Sequence, residues 1–525
     1  MPEKIEDKQY VMGFAWAGYL FGKKFPVLIN TFSDDYINND DSIDILGEKF
    51  PKKIYYPSFL SGEKIIEGNK IIIIYNGIEL IQRPAKLIKF IIELRKKFGF
   101  KKLLYLQGIS DPYLMPVLAY LGIDIFDDIY IRKESREKTK YNVAGKTVVD
   151  YDPLEENVQF AESILESIFT SIKNNTLREV VEKIAISGKA LEILRIADTE
   201  YYNDFSQVFP SRTPYIQANS MESLNRPDIV YYRHKIENYK KPEHRNIALF
   251  LPCSAKKPYS ESKTHKKILS AIWQYRKYLH ELIITSPVGL VPRELESGYP
   301  ARFYDIPVTG TWYEDEKMMM KKLVSEYMKN NSYTDVILYI PEDLDFIKEV
   351  LPKDSKIIEG RVTDENNLEK LVSAVKDSIT RESEYAKKLD DYQAILRFQF
   401  GDWIIPEFED IKLINSFHQD MLVKGSKILF VYNESIGRFS ITPESGKFFL
   451  DNNKFNVTID DFTPTSTVYA MGIQDATPDI KAFDEVIMSY NNELRGTGTA
   501  MMPYMSMIDL ENGSAIKVRS GIKKK

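Results

Sequence analysis

The sequence predicts a multidomain α/β protein, and three observations carry that reading. The chain has 525 residues, 43% of them hydrophobic and 28% charged, enough for three to four domains of ~100–200 residues. Over most of its length, apolar runs of strand length alternate with amphipathic runs of helical period, the pattern of parallel strands covered by helices. Beyond residue 392 that alternation gives way to short strands separated by Asn-, Gly- and Pro-containing turns.

Residues 1–240 open with Val11–Gly22, the longest uncharged apolar stretch. It is too short for a bilayer, which needs ~20 residues, and acidic residues (Glu3, Glu6, Asp7) precede it, which disfavours a signal peptide. We read it as a buried strand and turn in a soluble protein with no membrane partner. Ile71–Tyr75 and Leu103–Leu106 read as buried strands, with the helix Pro84–Phe98 between them. Asp111–Tyr120 reads as a short helix and Ile123–Tyr130 as a strand, so this segment forms a parallel sheet or barrel. Helical periodicity then runs from Leu154 to about Arg195.

Residues 241–385 are the clearest unit. The strands Asn246–Leu251, Glu281–Thr285, Asp335–Ile340 and Lys356–Glu359 alternate with the helices His265–Leu279, Asp315–Lys329, Glu342–Val350 and Asn366–Thr380. This is the pattern of a Rossmann-like open sheet. Residues 386–454 read as a small α+β domain with strands Lys427–Tyr432 and Phe448–Leu450, and residues 455–525 as a small β-barrel containing the strand Val468–Met471. The chain ends on the basic residues Lys517, Arg519 and Lys523–Lys525.

Cys253 is the only cysteine, so no disulfide framework forms, in keeping with a reducing, cytoplasmic compartment. With five histidines it makes no metal-ligand cluster, and neither a metal nor a cofactor is expected. The net charge of −5 disfavours one broad basic nucleic-acid surface, so any RNA contact must rest on local patches.

Chemistry concentrates after the strand Asn246–Leu251, in Pro252-Cys253-Ser254-Ala255-Lys256-Lys257-Pro258-Tyr259, followed by Ser262 and His265 at a helix start. Ligands of doubly wound sheets sit at the carboxyl ends of strands, where this loop falls. Ser262 fits a helix N-cap, and nearby Lys and protonated His would favour a thiolate. From spacing alone, Cys253 could equally be a small buried hydrophobe with solvated lysines and an ordinary cap beside it.

The spacing Pro252-Cys253, three residues, Lys257-Pro258-Tyr259, two residues, Ser262, two residues, His265 resembles the signature of the archaeosine synthases, paralogues of the archaeal tRNA-guanine transglycosylases. Asp124–Asp128, Leu177–Glu182 and Ser223–Pro227 resemble transglycosylase-like segments, while Ser286–Glu296 and Tyr304–Gly310 resemble the family's core. Gly472, Asp484–Val486 and Gly513–Arg519 are similar to a PUA domain. The resemblance implies a tRNA partner carrying 7-cyano-7-deazaguanine at position 15 and an amine donor, free lysine in one version, added to the nitrile. It also implies a radical-SAM partner enzyme that cleaves the lysine adduct. A homo-oligomer is compatible with the sequence.

A thiolate adding to the nitrile would give a thioimidate that an amine displaces, splitting one hard step into two. The developing charge on nitrogen calls for a proton donor, His265 or Lys257, of a kind that contributes ~10²–10⁴-fold. With Ser262 these form the expected catalytic set. Lys256, Tyr259, Arg293, Glu294, Glu296 and Asp305 are expected to bind substrate, and Arg495, Lys517 and Arg519 tRNA. Against a full transglycosylase, a cysteine-rich zinc site is absent, and some 240 residues fall short of the ~250 typical of a complete barrel. The first segment is therefore expected to be a truncated, non-exchanging TIM-barrel-like module. The competing readings are base exchange and a non-catalytic tRNA-binding subunit.

Overall fold

The computed structural model describes residues 9–51, 65–186, 188–307, 311–381, 383–404, 410–415 and 419–523. The end of one family-like segment (Val308 to Gly310), His418 and the last two lysines lie outside the described residues. The architecture is mixed α/β, in two compact units: Met1–Pro214 with Phe449–Lys525, and Tyr215–Phe448.

In the first unit, Val27–Ile29, Ile125–Asp127, Leu103–Leu106 and Ile71–Ile74 lie side by side as parallel strands, with Ile65–Glu67 antiparallel at the edge. The sheet is open. Residues 71–74 are all buried because alternate side chains enter two different cores. Ile72 and Ile74 pack with Leu87, Ile88 and Ile91 of the helix Pro84–Phe98. Ile71 and Ile73 pack with Val486, Met488 and Ile516 of a C-terminal six-stranded sheet. Pro84 starts that helix, where a missing N–H costs nothing, and Gly99, at φ +54°, closes it.

The C-terminal sheet runs in the order Thr467–Tyr469, Ser514–Gly521, Glu493–Ala500, Glu485–Tyr490, Asn456–Ile459, Ile473–Ala476. Among these, only Asn456–Ile459 and Glu485–Tyr490 pair in parallel.

The second unit holds a five-stranded sheet in the order Gly289–Pro292, Leu279–Thr285, Ile247–Pro252, Asp335–Ile340, Lys356–Glu359. The last four are parallel and the first is an antiparallel edge. Ile247, Leu249, Leu251, Ile337 and Tyr339 face Ile268, Leu371 and Val375 of the helices Lys263–Ala271 and Glu365–Ser378. A four-stranded antiparallel sheet, Lys412–Asn415 to Arg438–Ile441, follows the helix Lys388–Phe400.

Several elements differ from expectation, among them Glu342–Val350, which is a 3₁₀ helix, and Val468–Met471, of which only Val468 and Tyr469 are strand. Only Ile125–Asp127 of the 123–130 stretch is strand; a helix, Ile129–Arg136, follows, because Asp127 Oδ1 accepts the Ile129 N–H and turns the chain. Phe448–Leu450 lies inside the helix Pro443–Asp451, whose start is fixed by reciprocal Thr442 and Ser445 hydrogen bonds. The helix expected over residues 265–279 ends at Ala271 and tightens to a 3₁₀ turn, Trp273–Tyr278, before Leu279 begins the next strand.

Candidate active site around Cys253

Cys253 follows the central strand Ile247–Pro252 directly, at its carboxyl end. Its neighbour in the sheet is Leu279–Thr285, in a register that sets Pro252 opposite Ile284. Thr285 and Ser286 therefore stand beside the cysteine. A cavity of about 520 Å³ opens there, lined among others by Cys253, Ser286, Asn219, Trp312, Glu316 and Asp343. That is within the ~300–1,000 Å³ of small-molecule pockets.

A row of buried hydroxyls runs away from the sulfur. Thr285 is hydrogen-bonded to the Cys253 thiol and shares a short hydrogen bond with the Tyr304 hydroxyl. Tyr304 in turn lies 3.0 Å from the Tyr259 hydroxyl. The Lys257 ammonium sits 3.9 Å from the centre of the Tyr304 ring, a cation–π contact of the favourable, half-desolvated kind. Burial pushes the Cys253 thiol up from its ordinary value, and the Thr285 hydrogen bond and the Lys257 charge oppose this without cancelling it. Burial likewise pulls the Lys257 ammonium down, against the pull of Cys253 and Asp305. Both shifts favour the uncharged forms, a thiol at Cys253 and an amine at Lys257, over a thiolate–ammonium pair.

His265 has no ring nitrogen to spare. Its Nε2 lies 2.9 Å from the Pro252 carbonyl oxygen, which can only accept, so Nε2 carries the proton. Its Nδ1 lies 2.9 Å from an Arg293 guanidinium nitrogen, which can only donate, so Nδ1 accepts. Burial first, and the Arg293 charge second, hold the imidazole neutral with its pKa at about 4. It is fully buried and braces the chain one residue before Cys253. Ser262 caps the helix Lys263–Ala271, its Oγ accepting the His265 N–H at 3.1 Å. Ser262 thus contacts His265, and His265 the carbonyl just before Cys253.

Arg293 donates to Glu281 at 2.6 Å and to Glu296 at 2.7 Å besides His265, and Glu296 also accepts the Ser260 N–H. Burial pushes Glu281 up, but Arg293 and Arg276 outweigh it and hold its pKa at about 2. Glu294 accepts from Tyr239 at 2.6 Å and lies 3.0 Å from the His280 ring nitrogen. Through His265 and Glu296, Arg293 ties the cysteine loop to Glu281 of the neighbouring strand, while Glu294 joins Tyr239 and His280. Lys256 is exposed and paired with Glu261 at 3.0 Å, and Asp305 is exposed at the end of Tyr304–Asp305.

The central unit matches a family model described as Domain of unknown function (DUF5591) over residues 229–376. The whole chain is similar to archaeosine synthase subunit alpha of Thermoplasma acidophilum, 48% identical over 98% of this chain and 100% of the relative. The chain belongs to the archaeosine synthase alpha-subunit family. A second family member, from Methanosarcina acetivorans, is 28% identical over 88% of this chain and 81% of its own. A tRNA-guanine(15) transglycosylase of Methanococcus maripaludis is 23% identical, over 84% and 69%. Likeness to the archaeosine synthases thus exceeds likeness to the base-exchanging enzyme.

Elsewhere in this archaeosine synthase family member, the expected RNA-contacting residues lie on the C-terminal sheet. Arg495 is buried, paired with Asp461 and Glu493 and set over the Tyr490 ring. Arg519 is engaged by Glu485 and Thr499. Lys517 is exposed on the same strand. Thr285, Ser286, Asn219 and Trp312 were not expected at the site. The signal for the first two was present, since they end the strand beside the central one. The first unit contains a larger cavity of about 1020 Å³, lined among others by Asp111, Tyr113, Tyr130 and Lys146; Asp111 and Lys146 pair within it at 2.8 Å.

Among the described residues no His, Cys, Asp and Glu group could hold a metal, and no helix is long and apolar enough to cross a membrane.

Proposed function

We propose that this chain modifies tRNA in archaeosine formation by adding an amine, free lysine in the favoured version, to the nitrile of 7-cyano-7-deazaguanine at position 15. Cys253 is the covalent nucleophile. The observation that carries the reading is the Cys253 sulfur at the carboxyl edge of a parallel sheet, on the wall of a cavity of about 520 Å³. Membership of the archaeosine synthase family supports the role in tRNA modification.

The thiol gives its proton to Lys257, in its neutral form, as sulfur bonds to the nitrile carbon. One carbon–nitrogen π bond breaks, its electron pair goes to nitrogen, and that nitrogen takes up a proton, leaving a thioimidate. The amine then adds to the same carbon, the carbon–sulfur bond breaks with its electron pair going to sulfur, and a proton lost by the amine passes through Lys257 to sulfur. The products are a substituted amidine and the free thiol. Thr285, Tyr304 and Tyr259 hold the sulfur and its proton in a fixed row, while Ser262 and His265 position the loop. Asp343 and Glu316 line the same cavity and are the carboxylates placed for the donor's α-ammonium. Arg293 and Glu296 support the loop instead, and Glu294 is engaged by Tyr239 and His280.

The C-terminal sheet acts as a PUA-like tRNA module, with Lys517 its phosphate contact. Residues 1–240, 241–385, 386–454 and 455–525 serve as truncated barrel-like, Rossmann-like catalytic, small α+β and PUA-like modules. The word "alpha" in the relatives' names supports a partner subunit, here a radical-SAM enzyme acting on the lysine adduct, and a tRNA substrate places the chain in the cytoplasm.

The test is incubation of wild type and Cys253→Ala with nitrile-bearing tRNA and candidate amines, followed by nucleoside mass spectrometry. Amine-bearing nucleoside from wild type alone is expected. Guanine release from unmodified tRNA would indicate base exchange, and equal product from both proteins would remove the thiol from the chemistry.

A further inference from the structure

Ser286 is only 3% exposed, and its hydroxyl oxygen has no hydrogen-bond partner in the structure. It also lines the Cys253 cavity. Native proteins leave few buried hydroxyls unpaired, because each forfeits its bonds to water without replacement. Such a group on a cavity wall is satisfied when a ligand brings the missing acceptor. Its place narrows what that acceptor is. Ser286 directly follows Thr285, which is hydrogen-bonded to the thiol and ends the strand beside the one that presents Cys253. Both residues line one cavity, so a ligand attacked by the sulfur is the nearest source of that acceptor.

We propose that Ser286 is a catalytic hydrogen-bond donor to the nitrogen of the nitrile that Cys253 attacks, an inference that rests on the function proposed above. As sulfur bonds to the nitrile carbon, the π electron pair collects on nitrogen, and the Ser286 O–H donates a hydrogen bond to that charge. The donor is fixed by burial before the reaction begins, so no reorganisation is needed when charge develops. The proton that nitrogen finally keeps is the one that left the thiol, so Ser286 donates a hydrogen bond and is unchanged over the cycle.

The test compares wild type, Ser286→Ala and Ser286→Thr in single and multiple turnover with nitrile-bearing tRNA and lysine, alongside melting curves. Ser286→Ala should lower kcat on the order of a hundredfold, as loss of one preorganised donor does, with KM for tRNA changed by no more than about twofold. Its melting temperature should equal or exceed that of wild type, since no protein partner is lost. Ser286→Thr, which keeps the donor, should recover most of the rate. A Ser286→Ala rate within about threefold of wild type overturns the proposal. So does a folded Ser286→Thr as slow as the Ala variant. If wild type itself forms no amine adduct, the proposed function fails and Ser286's role falls with it, a result the wild-type arm distinguishes from failure of Ser286 alone.

Discussion

His265 Nε2 donates to the Pro252 carbonyl 2.9 Å away, so the histidine of the Cys253 motif holds the backbone that presents the thiol. His265→Ala would strand a buried carbonyl and a buried Arg293 N–H. We expect a loss of ~1–3 kcal/mol in urea unfolding, and a lower kcat with little change in the pH profile. A general acid would instead remove one limb of that profile.

The same histidine makes stability fall in mild acid. Its pKa is about 4 in the fold, against 6.5 unfolded, so between those values the unfolded chain binds more protons and stability rises with pH. The contribution is complete above about pH 6.5 and is lost toward pH 4, amounting to about 3 kcal/mol. Glu281, held at about 2 from 4.5, adds a second loss as pH falls from about 4.5 to 2. Denaturant melts across pH 7 to 4 of wild type and His265→Ala check the first step, which the variant should lack.

Cys253 is the only thiol, so alkylation reports on it alone. Because burial raises its pKa and Lys257 partly offsets that, iodoacetamide should react slowly at pH 7 and faster into the alkaline range, above the ~8.5 of a free cysteine. Lys257→Met should move the midpoint higher still. A midpoint below neutrality would refute a resting thiol.

Arg293 separates support from substrate binding. Arg293→Met leaves Glu281 and Glu296 buried without their shared cation and should destabilise by ~3–5 kcal/mol. In whatever fraction stays folded, KM for lysine should be near wild type. A raised KM with intact stability would return Arg293 to the amine-binding role that sequence alone assigned.

On the C-terminal sheet, Lys517→Ala should weaken tRNA binding and reduce the slope of log affinity against log salt by about one phosphate contact. Arg519→Ala should act mainly through the lost Glu485 pair, with a smaller change in slope. Filter binding at several salt concentrations distinguishes the two.

Much of this was legible in the sequence, and the gaps have physical causes. The strands of the central sheet were readable because uninterrupted apolar runs such as Ile247–Leu251 have few other uses, and the carboxyl-end rule then placed Cys253 on a cavity. The hydrogen-bond partners of His265, Arg293 and Glu296 are not readable in the sequence, because polar residues that pair across the fold look identical to solvated ones in one dimension. Thr285 and Ser286 escaped because hydroxyl residues are too common to attract notice until a neighbouring strand brings them to the thiol. The helix Pro443–Asp451 was misread from three apolar residues, too few to separate the two periods.

The most direct measurement is intact-protein mass spectrometry after wild-type protein is mixed with nitrile-bearing tRNA in the absence of any amine, with nuclease digestion before analysis. A deazaguanine nucleotide bound covalently at Cys253 is expected, absent in Cys253→Ala and discharged as a substituted amidine when lysine is added. Product formed at the wild-type rate by Cys253→Ala, with no adduct on either protein, would contradict it.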